Sequence, residues 1–123
     1  MQSIKILVCD DHMAIRESIK LILGKEPYSL FFASNGRKAI EKTRHLKPDI
    51  VILDIKMPKM SGLDAIEKIK SINPACEIII ISGYEQPEVI KEALRRGAVD
   101  YLPKSFSGKQ LKDSIKAMLN KKD

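Results

Sequence analysis

Five short runs of mostly apolar residues recur along the chain, each followed by a stretch in which apolar positions return every three or four residues. The runs read IKILVC, YSLFFA, DIVILD, EIIIIS and VDYL. Alternation of this kind predicts repeated βα units and a parallel sheet. The first, third and fourth runs are nearly continuous in Ile, Leu and Val, as expected of central strands covered on both faces. The second and fifth are more mixed and read as edge strands.

Stripes and caps place the helices. Ile15, Ile19, Ile22 and Leu23 share one face of the first, and Gly24 supplies its stop before Pro27. Ser61 with Asp64, and Ser107 with Gln110, carry the spacing of a capping box and mark the starts of the third and fifth helices. The spacing predicts a fourth helix over 87–96 that packs Val89, Ile90, Ala93 and Leu94 and ends at Gly97. Leu111, Ile115, Met118 and Leu119 give the fifth an apolar face, with Lys109, Lys112, Asp113 and Lys116 on the wet side. Right-handed crossovers then wind the five units into one doubly wound open sheet, a single domain over 1–123.

Composition narrows the classes. With 44% hydrophobic and 31% charged residues and no apolar run near the roughly 20 residues of a membrane span, the chain reads as globular and not membrane-embedded. The N-terminal ILVC runs straight into Asp10 and Asp11, which leaves no room for a secretory leader, so a cytoplasmic location is expected. Cys9 and Cys76 sit inside apolar segments without metal-knuckle or redox-pair spacing and are expected as buried free thiols. The net charge of +6 is spread along the chain. Without aromatic interleaving or a reading module, it argues against direct nucleic-acid binding.

In doubly wound sheets ligands gather at the carboxyl ends of the strands. Here those ends carry Asp10 and Asp11 after the first strand, Asp54 after the third, Ser82 and Gly83 after the fourth, and Lys104 after the fifth. Each has an ordinary reading alone: Asp caps helices, and Ser-Gly turns chains. Together they would converge on one crevice. Three carboxylates there repel on the order of several kcal/mol at an intermediate dielectric. An oxygen-only donor set of this kind suits a hard divalent ion, most simply Mg²⁺. Lys104 offers a second positive charge and Ser82 a hydroxyl donor, so the set could cradle a phosphoryl group. Asp54 is the natural nucleophile, followed by a loop in which Pro58 and Gly62 turn the chain away from it. His12 reads as a first-turn residue at the rim, because one His among carboxylates does not make a transition-metal site. His45 reads as solvated, and Met57 and Met60 as gap fillers.

LVCDDH, VILDIKMPKMSGLDAI, IIIISGY and GAVDYLPKSF, in this order and covering nearly the whole chain, closely resemble the receiver domain of bacterial two-component response regulators. The resemblance implies a flavodoxin-like fold with strand order 2-1-3-4-5 and helices on both faces. It implies that Asp54 accepts a phosphoryl group from a sensor histidine kinase or histidine phosphotransfer protein. Mg²⁺ would then be ligated by Asp11, Asp54 and the Lys56 backbone carbonyl, with Asp10 acting mainly through a metal-bound water. Ser82 and Lys104 would contact the phosphoryl oxygens. Ser82 and Tyr101 would form the switch that remodels the face of helix 4, strand 5 and helix 5 for an output protein or domain. A phosphorylation-dependent homodimer through the face near Tyr101 is a further partner that the resemblance admits.

Two places depart from the family pattern. Proline usually follows the lysine, whereas Pro103 precedes Lys104 here and Ser105 follows it. A cis bond to Ser105 would cost about 2.5–4 kcal/mol, so either that strain or a different loop is expected. Lys56 and Tyr84, two places beyond the acceptor and the hydroxyl, stand where the family adjusts access of hydrolytic water. Two rival functions remain: a receiver-like binding module that works without phosphate, and a Mg²⁺-dependent aspartyl phosphatase. The filled acceptor, metal and lysine positions oppose the first. Lys56, where such phosphatases carry a second Asp, opposes the second.

Overall fold

The computed structural model describes residues 3–57, 59–83 and 86–121, with the side chain of Lys121 excepted. Pro58 and Tyr84, to which the sequence assigned roles, lie outside the described residues. Strands and helices alternate as β1 (Ile4–Cys9), α1 (Met13–Leu23), β2 (Tyr28–Ala33), α2 (Gly36–Leu46), β3 (Ile50–Asp54), α3 (Gly62–Ile72), β4 (Glu77–Ser82), α4 (Pro87–Arg96), β5 (Asp100–Pro103) and α5 (Gly108–Lys121). The strands form one parallel sheet in the order β2-β1-β3-β4-β5, as expected.

The pleat divides the core in two, because alternate side chains leave opposite faces of a strand. Leu7, Val51, Leu53, Ile78 and Ile80 meet Ala39, Ile40, Ala65, Ile66 and Ile69 of α2 and α3 on one face. Ile6, Val8, Ile50, Ile52, Ile79 and Ile81 meet Ile19 and Leu23 of α1 and Leu111, Ile115 and Met118 of α5 on the other. This is why β1, β3 and β4 carry unbroken apolar runs: both faces are covered. On β2, five of the six residues are only partly buried, the mark of an edge strand.

The caps follow expectation at α5 and depart from it at α3. At α5 the box is complete: the Gln110 amide donates to Ser107 Oγ at 3.1 Å, and the Ser107 amide to Gln110 Oε1 at 2.8 Å. Ser107→Ala should therefore cost about 1 kcal/mol in urea unfolding; a change of only a few tenths would contradict the box. At α3, Ser61 Oγ accepts from the Leu63 amide at 3.1 Å, but Asp64 does not reach back. It pairs instead with Arg96 Nη1 at 3.1 Å, and Arg96 also engages Glu67 and Glu92, so one guanidinium ties α4 to α3. Gly24 stops α1 with an ordinary right-handed backbone (φ −63°), while Gly97 closes α4 at φ 128°, where only glycine is comfortable. The apolar stripe of α4 is also narrower than predicted. Ala93 is buried, Val89 and Ile90 are half-buried, and Leu94 is 43% exposed.

Candidate functional site

The strand ends deliver the predicted groups to one place. Asp10 follows β1 directly, and its amide donates to the Ala33 carbonyl at 3.2 Å, which extends the β1–β2 pairing by one residue. That pairing holds the Asp10 side chain fully buried while Asp11 beside it stays partly exposed. Asp54 closes β3 opposite Ile81 and is almost wholly buried; its Oδ1 accepts from the Lys56 amide at 3.2 Å. Ser82 closes β4. Lys104 follows β5, where its amide donates to the Ser82 carbonyl at 2.8 Å and so fixes the root of its side chain.

From that root the ammonium reaches across the crevice. Lys104 Nζ lies 3.1 Å from Asp54 Oδ2 and 3.3 Å from Asp10 Oδ2. No described peptide bond is cis, so the link to Ser105 is trans. Of the two outcomes expected for the missing proline, the structure has the unstrained one, and the lysine still reaches its carboxylates. The Lys56 side chain is exposed at the rim. Tyr101, half-buried on β5, stands beside Ile80 of β4. A Cβ at Gly83 would meet nothing within 4 Å, which leaves that turn open. Gly62 is the tight position instead. Its amide donates to the Ile55 carbonyl at 2.8 Å, and a Cβ on it would fall 2.6 Å from the Asp54 carbonyl oxygen.

His12 differs from its sequence reading. Its ring is exposed at the rim as expected, yet its Nδ1 stands 3.1 Å from Asp10 Oδ1, 3.2 Å from Asp11 Oδ1 and 3.1 Å from Lys104 Nζ. Arg16, which no motif singles out, also serves the site: its Nη1 donates to the Asp10 carbonyl at 2.7 Å and pins the turn that carries both acids. Its place one turn into α1, on the side facing the strand end, is the only sequence signal for it. His45 is exposed, and Met57 and Met60 pack against the core, as read.

One ammonium shared between two buried carboxylates sets the electrostatics. Burial, and then the charge of Asp10, push the Asp54 carboxyl above its usual range, and the Lys104 and Lys56 donors only partly offset this. Burial works against the Lys104 ammonium, but Asp54 and Asp10 outweigh it and hold its pKa above the ordinary value. Burial and the charges of Asp10, Asp54 and Asp11 push the Cys9 thiol up to about 12. Asp10 Oδ2, Asp11 Oδ1 and Ser82 Oγ are buried and make no hydrogen bond among the described residues.

A stability effect follows from the Asp54 shift. A carboxyl whose folded pKa is raised binds its proton more tightly in the native state than in the unfolded chain, where it titrates at about 3.9. Its contribution is therefore fully present below that value and is lost as pH rises through the folded pKa. In metal-free solution, Asp54→Asn should gain stability relative to the parent as pH rises from acid toward neutral. Urea midpoints of both proteins across that window check this, and a variant that loses ground with rising pH would contradict it.

Asp10, Asp11, His12 and Asp54 each offer a ligand atom within 4.8 Å of the others. Two buried carboxylate oxygens that have close charged or imidazole neighbours but no well-formed hydrogen bond among the described residues, in an oxygen-rich set, fit a hard divalent cation. With an ammonium and an unpartnered hydroxyl at its edge, the crevice can accept a tetrahedral anion against a carboxylate nucleophile.

Comparison with known proteins agrees with this geometry. The family profile described as "Response regulator receiver domain" matches residues 6–116. The chemotaxis protein CheY of Thermotoga maritima is 39% identical over 112 residues, 90% of this chain and 93% of that protein. Sporulation initiation phosphotransferase F of Bacillus subtilis is 33% identical over 119 residues, 97% of this chain and 96% of that protein. Among solved structures, a CheY-like response regulator receiver domain protein from Methanospirillum hungatei superposes with a TM-score of 0.94 at 30% identity, covering 98% of this chain and 96% of that one.

Proposed function

Because this chain belongs to the response regulator receiver domain family, we propose that it is a phosphoacceptor switch that takes a phosphoryl group onto Asp54. The observation that carries this reading is the Asp54 carboxylate at the end of the central strand, 3.1 Å from the Lys104 ammonium and flanked by Asp10 and Asp11. An Asp54 carboxylate oxygen attacks phosphorus while the bond from phosphorus to the donor's imidazole nitrogen breaks, leaving an acyl phosphate on the protein and a histidine on the donor. The donor is a sensor histidine kinase or a histidine phosphotransfer protein. The Lys104 ammonium turns from the carboxylate to the incoming phosphoryl oxygens, and Ser82 Oγ, which has no hydrogen bond among the described residues, donates to another. Mg²⁺, held by Asp11, Asp54 and the Lys56 carbonyl with Asp10 behind a bound water, would offset charge on those oxygens when bound. The chain supplies positioning and charge for one transfer per activation, and does not turn over a substrate as an enzyme does.

The readout runs from Ser82 to Tyr101. Ser82 is the last residue of β4, and Tyr101 lies on the neighbouring strand beside Ile80, so movement of the hydroxyl toward a phosphate frees space next to a half-buried ring. The face built from α4, β5 and α5 then changes for an output partner. No described helix is long and apolar enough to cross a membrane.

Incubation with Mg²⁺ and a small acyl phosphate tests the reading. Intact mass spectrometry should show one added phosphoryl group that hydroxylamine removes and a chelator prevents. A parent protein that gains no mass under these conditions would leave a binding module working without phosphate as the better account.

A further inference from the structure

The Lys104 ammonium stands 3.1 Å from Asp54 Oδ2, 3.3 Å from Asp10 Oδ2 and 3.1 Å from His12 Nδ1, so its neighbours are two carboxylate oxygens and an imidazole nitrogen. An ammonium can only donate, and so His12 must turn a lone pair toward it at Nδ1. The same Nδ1 stands 3.1 Å from Asp10 Oδ1 and 3.2 Å from Asp11 Oδ1, and both are acceptors. The two demands conflict. A bare Nδ1 faces two carboxylate oxygens with no proton between them, and a protonated one faces the ammonium. Asp10 is fully buried, and among the described residues its Oδ2 has only that ammonium, at 3.3 Å. A divalent cation that takes the carboxylate oxygens and the Nδ1 lone pair together removes the conflict. The flexible stem of Lys104 lets its ammonium withdraw.

We propose that His12 is a nitrogen ligand of the cation site, converting it from an oxygen-only set into one that prefers borderline transition cations over Mg²⁺. The proposal rests on the reading of the crevice as a receiver cation site and adds a ligand and a selectivity to it. The chemistry is that of donor softness. Carboxylates and water suit Mg²⁺, whereas an imidazole gains most with the later first-row divalent ions. Coordination through Nδ1 leaves the ring proton on Nε2, and the ring is held from behind by its own backbone, since the His12 amide donates to Asp10 Oδ1 at 2.8 Å. His12 precedes the first turn of α1 and contributes no side-chain cap there, so no structural duty competes with ligation.

Calorimetry on the untagged full chain, titrated separately with Co²⁺ and Mg²⁺, gives the ratio of the two affinities. His12→Ala should lower the Co²⁺ to Mg²⁺ ratio by about tenfold or more, since even loss of an outer-shell partner costs that much at protein metal sites. Proton NMR of the Co²⁺-loaded parent should show one strongly shifted, solvent-exchangeable imidazole N–H, which His45→Ala keeps and His12→Ala loses. An unchanged ratio, or a parent without that resonance, overturns the assignment even if a variant folds poorly. Mg²⁺ binding and phosphoryl uptake by the parent without any preference for Co²⁺ overturn the role of His12 alone. Failure of the parent both to bind Mg²⁺ and to take up a phosphoryl group overturns the underlying reading as well.

Discussion

Asp54→Asn should abolish the added phosphoryl mass while leaving a folded protein. The amide matches the carboxylate in shape and can still accept from the Lys56 amide, as Oδ1 does at 3.2 Å in the parent. What it lacks is the charge and lone-pair basicity that attack phosphorus, so the effect on uptake is all or none. Loss of a buried charge beside Asp10 also eases the crowding of carboxylates, which separates this variant from one that fails by unfolding. Intact mass spectrometry after exposure to a small acyl phosphate and Mg²⁺ reads the result. Full modification of the variant would move the acceptor to another residue, with Asp10 and Asp11 the nearest candidates.

Gly62→Ala should damage both stability and uptake, although Gly62 is not among the residues that would touch the phosphoryl group. A Cβ at this position falls 2.6 Å from the Asp54 carbonyl oxygen, 2.6 Å from Ile55 Cα and 2.9 Å from the Ile55 carbonyl oxygen. These obstacles are backbone and cannot rotate away. The start of α3 must lift from the end of β3, at a cost toward the upper end of the roughly 1–3 kcal/mol typical of overpacking, or beyond it. Because the obstructing oxygen belongs to Asp54 itself, the displacement reaches the proposed acceptor, and the rate of phosphoryl uptake should fall with the urea midpoint. Gly83→Ala is the control: with open space around its Cβ, both quantities should stay near the parent values. A Gly62→Ala protein indistinguishable from the parent would show that the β3–α3 turn has slack that the structure does not reveal.

Most of the architecture could be read from the chain because it follows from burial on two faces. The runs ILVC, IVIL and IIII tolerate no other placement than central strands, and their ends then fix where Asp10, Asp54, Ser82 and Lys104 must meet. Legibility failed where a side chain chooses among several partners. Asp64 has the spacing of a capping box, but Arg96, thirty-two residues on in sequence, offers a full charge and wins it. The Asp64 side chain is also one methylene shorter than that of Gln110, which completes its box with Ser107. Leu94 fits the helical stripe of α4, yet it is exposed. The sequence places His12 on the rim but not its contacts, because the direction of an imidazole depends on the turn that Asp10 and Arg16 build. The absent proline after Lys104 raised a question of strain that a trans bond answers, since the strand pairing at Ser82 already aims the lysine.

The Cys9 thiol has a use apart from signalling. Reagents for sulfur act on its ionised form, and this one is held un-ionised and shut inside the central sheet against Asn35 and Met57. Alkylation at Cys9 therefore marks the moment when β1 parts from its neighbours, and its half-life is a clock on the rigidity of the strand that ends in the two acids.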